Sequence, residues 1–171
     1  ADKEPIWEFP VKKPFHSGAA ITEPVIIGIG VNATRRKIAE KLEGKVSFGT
    51  AVHATSYISK RSRVAEGTVV MAGVTVNPDV QIGRHCIINT NCSLDHDCVI
   101  GDYAHISPNV VLSGDVHVGE GTHIGSGASV IQGIRIGKWC TIGAGAVVIR
   151  DIPDYATAVG NPARVIKVKE P

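Results

Sequence analysis

One histidine in this sequence is followed directly by a carboxylate, and the pair could perform acid–base chemistry. His96 and Asp97 lie in the segment Leu-Asp-His-Asp-Cys. An imidazole with an ordinary pKa of about 6.5 can accept a proton near neutral pH. A neighbouring carboxylate can fix its tautomer and raise its basicity. The same residues also fit an exposed histidine followed by a turn-forming aspartate, so both interpretations stay open at this point.

A strict six-residue repeat must position these side chains. From Ile58 to Val148 every sixth residue is aliphatic, at sixteen positions without exception. A helix would repeat at 3.6 residues and an amphipathic strand at two, so neither explains the pattern. The period predicts a mainly β protein, a parallel β-helix of triangular cross-section in which each hexapeptide forms one side. The aliphatic residues would point into the prism.

Two further positions of the repeat have a structural meaning. Four residues after each aliphatic position lies a small or apolar residue, which we expect to be buried near a corner. The four cysteines occupy this slot, and we expect buried, inert thiols rather than zinc ligands or disulfides. Three residues after the aliphatic position, twelve of the sixteen sites hold Gly, Asn or Asp, which enter the left-handed region at low cost. Positive φ is therefore predicted at Gly67, Gly73, Asp79, Asn91, Asp97, Asn109, Asp115, Gly121, Gly127, Gly133, Gly145 and Asp151.

The regions outside the repeat have a different character. Residues 25–30 read as a buried strand and residues 33–43 as a short helix with Ile38 and Leu42 on one face. The turn between them, around Gly28 and Gly30, could hold a phosphate on its backbone amides or could be a simple tight turn. The proline-rich residues 1–24 are expected to be irregular, and the residues after 153 to form a cap.

Composition excludes several classes of partner. The formal charge is +2, and the basic residues are scattered, so no nucleic-acid partner is expected. The longest apolar runs are far too short to span a bilayer, which argues against membrane insertion. No signal peptide is recognisable, so a cytoplasmic protein is the expectation.

Several motifs together resemble a known family. They are Ile88-Asn89-Thr90, the segment from Leu94 to Gly101 around the histidine, Ala104 to Pro108, and the closing Val159 to Arg164. This set is similar to bacterial hexapeptide-repeat sugar acyltransferases, specifically the sialic-acid O-acetyltransferases and UDP-4-amino-sugar N-acetyltransferases. The likeness runs from about residue 25 to residue 168.

The resemblance implies a left-handed β-helix, a homotrimer with active sites between prisms, and acetyl-CoA bound along the groove. The implied activity is acetylation of the amino group of a UDP-linked 4-amino sugar in bacterial glycan biosynthesis, by direct transfer without a metal. His96 would be the general base, with Asp97 raising its basicity. The implied cofactor contacts are His105, Ser113, Gly114, Ser126 and Ala144, and the implied substrate contacts are Gly30 and Asn32.

Three other functions remain as alternatives. The nearest is O-acetylation of a sialic acid or another sugar with the same base. The second is a metalloenzyme of the γ-carbonic-anhydrase type, although His117 and His123 on successive repeats should face about 120° apart, which is awkward for one ion. The third is a non-catalytic trimeric scaffold.

The family pattern also suggests how the chain is divided. We expect an N-terminal α/β substrate-binding segment over residues 1–57, a β-helix acyltransferase domain over 58–153, and a cap or tail over 154–171. Family members begin with a βα unit that carries a Gly-x-x-Gly-His type loop. Because that loop is not found in this sequence, we expect either that the N-terminal segment is truncated or that this protein binds the nucleotide sugar differently.

Overall fold

A computed structural model describes residues 23–169, and the expected irregular structure of residues 1–22 lies outside that range. The helix α1 spans Asn32–Leu42, and nineteen strands follow it. The first seventeen strands are two residues long and recur every six residues. They are β1 (Ala51–Val52), β2 (Tyr57–Ile58), β3 (Arg63–Val64), β4 (Val69–Val70), β5 (Thr75–Val76), β6 (Gln81–Ile82), β7 (Ile87–Ile88), β8 (Ser93–Leu94), β9 (Val99–Ile100), β10 (His105–Ile106), β11 (Val111–Leu112), β12 (His117–Val118), β13 (His123–Ile124), β14 (Ser129–Val130), β15 (Arg135–Ile136), β16 (Thr141–Ile142) and β17 (Val147–Val148).

The strands form three parallel sheets that are the sides of a prism. Sheet 1 contains β1, β4, β7, β10, β13 and β16. Sheet 2 contains β2, β5, β8, β11, β14 and β17, and sheet 3 contains β3, β6, β9, β12 and β15. Each residue pairs with the residue eighteen positions away, as Ile106 does with Ile88 and Ile124. One coil of the helix is therefore eighteen residues. We name the turns by the sheets they join: the 1–2, 2–3 and 3–1 corners.

The hydrophobic core is the interior of the prism. The aliphatic residue of each repeat is buried from Val70 to Val148, and the small residues near the corners are buried with them. The prediction of a mainly β, hexapeptide-repeat β-helix is confirmed, and one short helix precedes it in the N-terminal segment. All four cysteines are buried and unpaired, and burial raises the pKa of the Cys86 thiol to about 12. They are inert, as expected.

The corners follow the predicted left-handed pattern, with instructive differences. Eleven of the twelve predicted sites have positive φ, but Asp151 does not, because the chain leaves the six-residue phase after Val148. Tyr155, beyond the repeat, also has positive φ, and within the repeat three sites that hold no Gly, Asn or Asp adopt it: His85, Tyr103 and Trp139. All three lie at the 3–1 corner. The rings of His85 and Tyr103 stack with centroids 5.4 Å apart, and the Trp139 ring lies over a glycine, so contacts along the prism offset the backbone cost.

The N-terminal segment packs against the 3–1 corner but contains no strand at residues 25–30. The predicted strand was wrong: Val25 forms only a single bridge with Phe48. The carbonyls of Ile29 and Gly30, which a strand would pair with a neighbour, accept hydrogen bonds from the Arg35 guanidinium instead. The helix is confirmed within one residue of its predicted bounds, but its buried face is formed by Asn32, Arg35 and Ala39 rather than by Ile38 and Leu42.

Both ends of the prism extend beyond the predicted repeat. The first strand of sheet 1, β1, precedes Ile58 by a full hexapeptide. At the other end, β18 (Ala156–Val159) pairs in parallel with β16, and β19 (Arg164–Val168) pairs antiparallel with β18. The antiparallel pair caps sheet 1. The division at residues 57 and 153 stays a prediction.

Candidate active site

The His96 and Asp97 side chains form a hydrogen-bonded pair at the 2–3 corner. Both residues lie in the turn between β8 and β9, and Asp97 has a left-handed backbone (φ 62°). The distance between His96 Nδ1 and Asp97 Oδ2 is 2.8 Å. A carboxylate accepts a hydrogen bond, so Nδ1 carries the proton and Nε2 keeps its lone pair. The arrangement is that of a base with its orienting group.

Electrostatics make His96 a stronger base than an ordinary histidine. The hydrogen bond that His96 donates to Asp97 raises the pKa of His96, and the nearby charge of Asp95 raises it further. Asp95 is held in place by two hydrogen bonds, from the Asn77 amide at 2.9 Å and from the His96 backbone N–H at 2.9 Å. More than half of the imidazole surface is exposed in the single chain (59%), so a substrate can reach it.

A shallow groove of about 510 Å³ lies beside this pair. Its lining comprises Asp95, His96, Ser113, Gly114, Asp115, Gln132 and Gly133. Two of the predicted cofactor contacts, Ser113 and Gly114, are therefore next to the predicted base, one coil further along the same corner. A larger depression of about 660 Å³ covers sheet 3, but its lining holds no histidine or carboxylate that could accept a proton.

A second cluster of predicted site residues lies on sheet 1. His105 points outward from β10, and its ring stacks on His123 with centroids 4.9 Å apart. The Asn89 amide donates to His105 Nε2 over 3.2 Å, and its own oxygen accepts from the Thr90 N–H, which fixes the orientation of the amide. His105 Nε2 is therefore an acceptor in this arrangement, and the imidazole is neutral.

The surroundings of His105 lower its basicity. Burial and the neighbouring His123 lower its pKa to about 4. A hydrogen bond with the Gly30 backbone opposes this shift, and the Arg35 cation adds a smaller lowering effect. The pKa of His123 is lowered as well, by burial and by Arg35, and its Nε2 lies 2.8 Å from Ser107 Oγ. Both rings of this stack are thus neutral at physiological pH and suited to hydrogen bonding, not to proton abstraction.

The predicted substrate contacts at the N-terminal turn have a structural role that was not foreseen. The Asn32 side chain is buried, donates to the carbonyls of Gly121 and Thr122 at 3.0 and 3.3 Å, and accepts from Arg35 at 2.8 Å. Its side chain is therefore occupied in docking α1, and only its backbone amide remains for a ligand. Gly30 has open space above its Cα, so a ligand can approach its backbone.

Sequence reasoning missed Arg35, which fixes this turn to the prism. Its guanidinium is 1% exposed and donates to backbone carbonyls on both sides of the junction. The acceptors include Ile29 at 2.7 Å in the turn, and His85 and Tyr103, each at 2.7 Å, on the 3–1 corner. An arginine within a helix is ordinarily solvated, and nothing in the local sequence marks this one as buried.

The candidate residues fall into two groups on different sides of one prism. His96, Asp97, Ser113 and Gly114 lie at the 2–3 corner. His105 lies on sheet 1, Ser126 and Ala144 at its 1–2 corner, and Gly30 and Asn32 beside its 3–1 corner. In a triangular section the 2–3 corner is opposite sheet 1. One chain therefore does not bring the predicted base and the predicted His105 contact together.

Two other features of the described residues bear on function. Between residues 23 and 169, no three His, Cys, Asp or Glu side chains are grouped closely enough to hold a metal ion within one chain. His117 and His123 lie on sheets 3 and 1, and His117 hydrogen-bonds Asp115 at 3.1 Å. The helix in that range is too short and too polar to cross a membrane.

Comparison with known proteins identifies the family. The sequence profile of the bacterial transferase hexapeptide family, described as six repeats, matches residues 61–95, 79–114 and 115–150. No curated protein sequence matches the chain significantly.

Several solved structures are similar to this chain. The perosamine N-acetyltransferase of Caulobacter crescentus, solved with CoA and GDP-perosamine, shares 42% identity over 83% of this chain and 69% of its own, with a TM-score of 0.82. The acetyltransferase domain of PglB from Neisseria gonorrhoeae, solved with acetyl coenzyme A, shares 36% identity over 84% of this chain and 70% of its own, with a TM-score of 0.81. WeeI from Acinetobacter baumannii shares 29% identity over 85% of this chain and 74% of its own, with a TM-score of 0.80. The chain belongs to the bacterial hexapeptide transferases, and its resemblance to the sugar acetyltransferases among them is confirmed.

Proposed function

We propose that this protein transfers the acetyl group of acetyl-CoA to the amino group of a nucleotide-linked 4-amino sugar, with His96 as the general base. The observation that carries the proposal is the His96–Asp97 pair at the edge of a groove, with Nε2 of the imidazole unprotonated. The similar structures solved with CoA, acetyl coenzyme A and GDP-perosamine support the same donor and the same class of acceptor.

The mechanism is direct transfer within a ternary complex. The sugar amine attacks the thioester carbon while Nε2 of His96 takes its proton. The C–S bond then breaks, and the CoA thiolate leaves and takes up the proton that His96 releases. Such general-base assistance is typically worth about 10²–10⁴ in rate. The four cysteines play no part, because their buried thiols have raised pKa values.

The active site is composed of two protomers. Its base lies at the 2–3 corner, whereas the predicted contacts His105, Ser126 and Ala144 lie on or beside sheet 1, which faces the opposite way. A homotrimer would place the 2–3 corner of one prism against sheet 1 of its neighbour and enclose the thioester between them. His105, neutral and held by Asn89, would then contact the pantetheine or thioester of acetyl-CoA across the interface.

The N-terminal turn is the proposed contact for the nucleotide. It lies beside sheet 1 at the 3–1 corner, on the same side as His105, and the space above the Gly30 Cα is open. The backbone amide of Asn32 opens α1, where amide groups without helical partners favour anionic groups such as phosphates. The sequence resemblance suggests UDP, whereas the Caulobacter relative was solved with GDP-perosamine. A cytoplasmic location, expected from the sequence, stays a prediction.

The test is an acceptor panel with acetyl-CoA, in which release of the CoA thiol is followed. The panel contains a UDP-linked 4-amino sugar, GDP-perosamine and free sialic acid. We expect transfer to at least one amino sugar and a loss of about 10²–10⁴ in kcat for His96→Asn. Transfer to sialic acid alone would favour the O-acetyltransferase alternative. Full activity of the His96→Asn variant would exclude His96 as the base.

A further inference from the structure

The ring of His96 lies directly against the Cα of Gly114, one coil further along the 2–3 corner. A Cβ atom at Gly114 would lie 2.6 Å from His96 Cε1, 2.8 Å from Nε2 and 3.3 Å from Nδ1. Carbon atoms do not approach one another or a ring nitrogen so closely, since optimal separations are about 3.5–4.0 Å. Any side chain at position 114 would therefore displace the imidazole.

The backbone itself does not require glycine at this position. Gly114 is not among the residues with positive φ. The equivalent turn position in other coils is filled by Pro78, His96, Gln132 and Arg150. By contrast, Gly67 and Gly121, which lie under the rings of His85 and Trp139, have φ values of +72° and +65° and would favour glycine in any case. At position 114 glycine is required because the His96 ring occupies the space of a Cβ atom.

We propose that Gly114 is a positioning residue for His96. Its bare Cα leaves room for the imidazole to lie against the coil with Nδ1 on Asp97 and Nε2 at the groove. The kinetic part of this inference rests on the proposed function, but the ring geometry does not.

This role differs from the one suggested by the sequence, in which Gly114 leaves room for the pantetheine arm. A methyl group at 114 would displace the base in the first case and obstruct the cofactor in the second. Displacement of the base lowers kcat and leaves the KM for acetyl-CoA nearly unchanged. Obstruction of the cofactor raises that KM.

The first experiment is steady-state kinetics of Gly114→Ala. We expect kcat for the acceptor that the wild type uses to fall about 100-fold, the size of loss that a misplacement of about 1 Å can cause. The KM for acetyl-CoA should change less than about threefold. The control is Pro78→Ala, at the equivalent turn position on the other side of His96, with kcat within about twofold of wild type. A raised KM with an unchanged kcat for Gly114→Ala would overturn the proposal.

A second measurement does not depend on activity. The imidazole C–H resonances of His96, assigned by their absence in His96→Asn, report its pKa in an NMR titration. In Gly114→Ala the displaced ring loses its hydrogen bond to Asp97, so the pKa of His96 should fall below the wild-type value. An unchanged titration of His96 would contradict the positioning role. If the pKa falls while the wild type acetylates none of the sugars, the proposed function fails and the positioning role stands.

A double variant tests whether Gly114 acts only through His96. If Gly114 acts only through His96, then His96→Asn/Gly114→Ala should retain the same residual rate as His96→Asn alone. A further loss in the double variant, multiplying the two single effects, would show that Gly114 acts independently of the imidazole and would overturn the proposal.

Discussion

At the scale of single residues, two histidines of one chain are tuned in opposite directions. The hydrogen bond to Asp97 and the nearby charge of Asp95 give His96 a raised pKa, whereas burial and the neighbouring His123 lower that of His105 to about 4. A base with a pKa near 4 accepts a proton poorly from an amine, because the proton transfer is far uphill. His96 is therefore the residue suited to proton abstraction, and His105 is suited to neutral hydrogen bonding.

The pH dependence of the reaction should reveal the effect of Asp97. His96 acts when it is deprotonated, so kcat/KM rises as pH increases through its pKa. Asp97→Asn removes the carboxylate whose hydrogen bond is the largest cause of this raised pKa, and asparagine tolerates the left-handed backbone at this position. The acidic limb of the pH–rate profile should therefore move to lower pH. The rate at the plateau should also decrease, because the base is weaker.

Asp115→Asn is the matched control for that profile. Asp115 has the same left-handed backbone one coil further on, but its carboxylate hydrogen-bonds His117 instead of His96. The charge of Asp115 is the smallest contribution to the raised pKa of His96. The acidic limb of the Asp115→Asn profile should therefore move less than that of Asp97→Asn. Equal movement in both variants, or none in either, would contradict the orienting role of Asp97.

How far the site could be predicted depends on the range of the contacts. The His96–Asp97 pair was recognisable because its members are adjacent in sequence. The buried roles of Asn32 and Arg35 were not, because their partners lie about 50 to 90 residues away. The ring of His96 and the Cα of Gly114 are likewise brought together only by the stacking of coils.

At the scale of the elements, each two-residue strand contributes one inward and one outward side chain. Val118 of β12 is 2% exposed inside the prism, and His117 beside it faces outward. An aspartate at 118 would place a carboxylate without a partner among aliphatic side chains, at a cost of several kcal/mol. Val118→Asp should therefore fail to fold, as judged by circular dichroism and expression in soluble form. His117→Asp, one residue away, should keep a cooperative thermal transition, and a native-like transition of Val118→Asp would refute the inward assignment.

The docking of α1 depends on a single buried cation. Arg35→Met would leave the carbonyls of His85, Ile29 and Tyr103 without donors, which should lower the free energy of unfolding by about 3 kcal/mol. Arg36→Met is the control, because that side chain is 42% exposed and pairs with Glu40 and Glu120 at the surface, a contribution of less than about 1 kcal/mol. Urea denaturation gives both values. Hydrogen exchange of the α1 amides should accelerate in the first variant, and equal effects of the two substitutions would contradict the docking role.

The elements were predictable where the pattern repeats and less so where it stops. The burial of every sixth residue from Val70 to Val148 could be predicted from the six-residue period alone. Positive φ at Tyr103 and Trp139 could not, because it is accompanied by contacts one coil away, with the His85 ring and with Gly121. The predicted strand over residues 25–30 failed for a similar reason, since the Arg35 side chain takes the carbonyls that a neighbouring strand would need.

At the scale of the whole molecule, a composite site can be tested by mixing inactive variants. His96→Ala and His105→Ala trimers should each be impaired. In mixed trimers some sites would combine an intact His96 from one protomer with an intact His105 from its neighbour. Random assembly at equal concentrations should restore about one quarter of the wild-type sites. The restored fraction is measured as the rate of CoA release after the two variants have been refolded together.

One control mixture and one contrary outcome define that result. A mixture of His96→Ala with the His96→Ala/His105→Ala double variant contains no intact His96 and should stay inactive. If His96 and His105 served the same site within one chain, mixing the single variants would restore no activity, and the composite site would be disproved.

The pairing of each residue with the one eighteen positions away has a consequence for how such chains can change in length. Removing six residues would rotate everything downstream by one side, so that a residue from sheet 1 would fall on sheet 3 and lose its neighbours. Removing eighteen would shorten the prism by one layer of about 4.8 Å and leave every remaining side chain on its original side. Evolutionary insertions and deletions within the prism should therefore occur in whole layers, and other length changes should be confined to loops extruded at the corners.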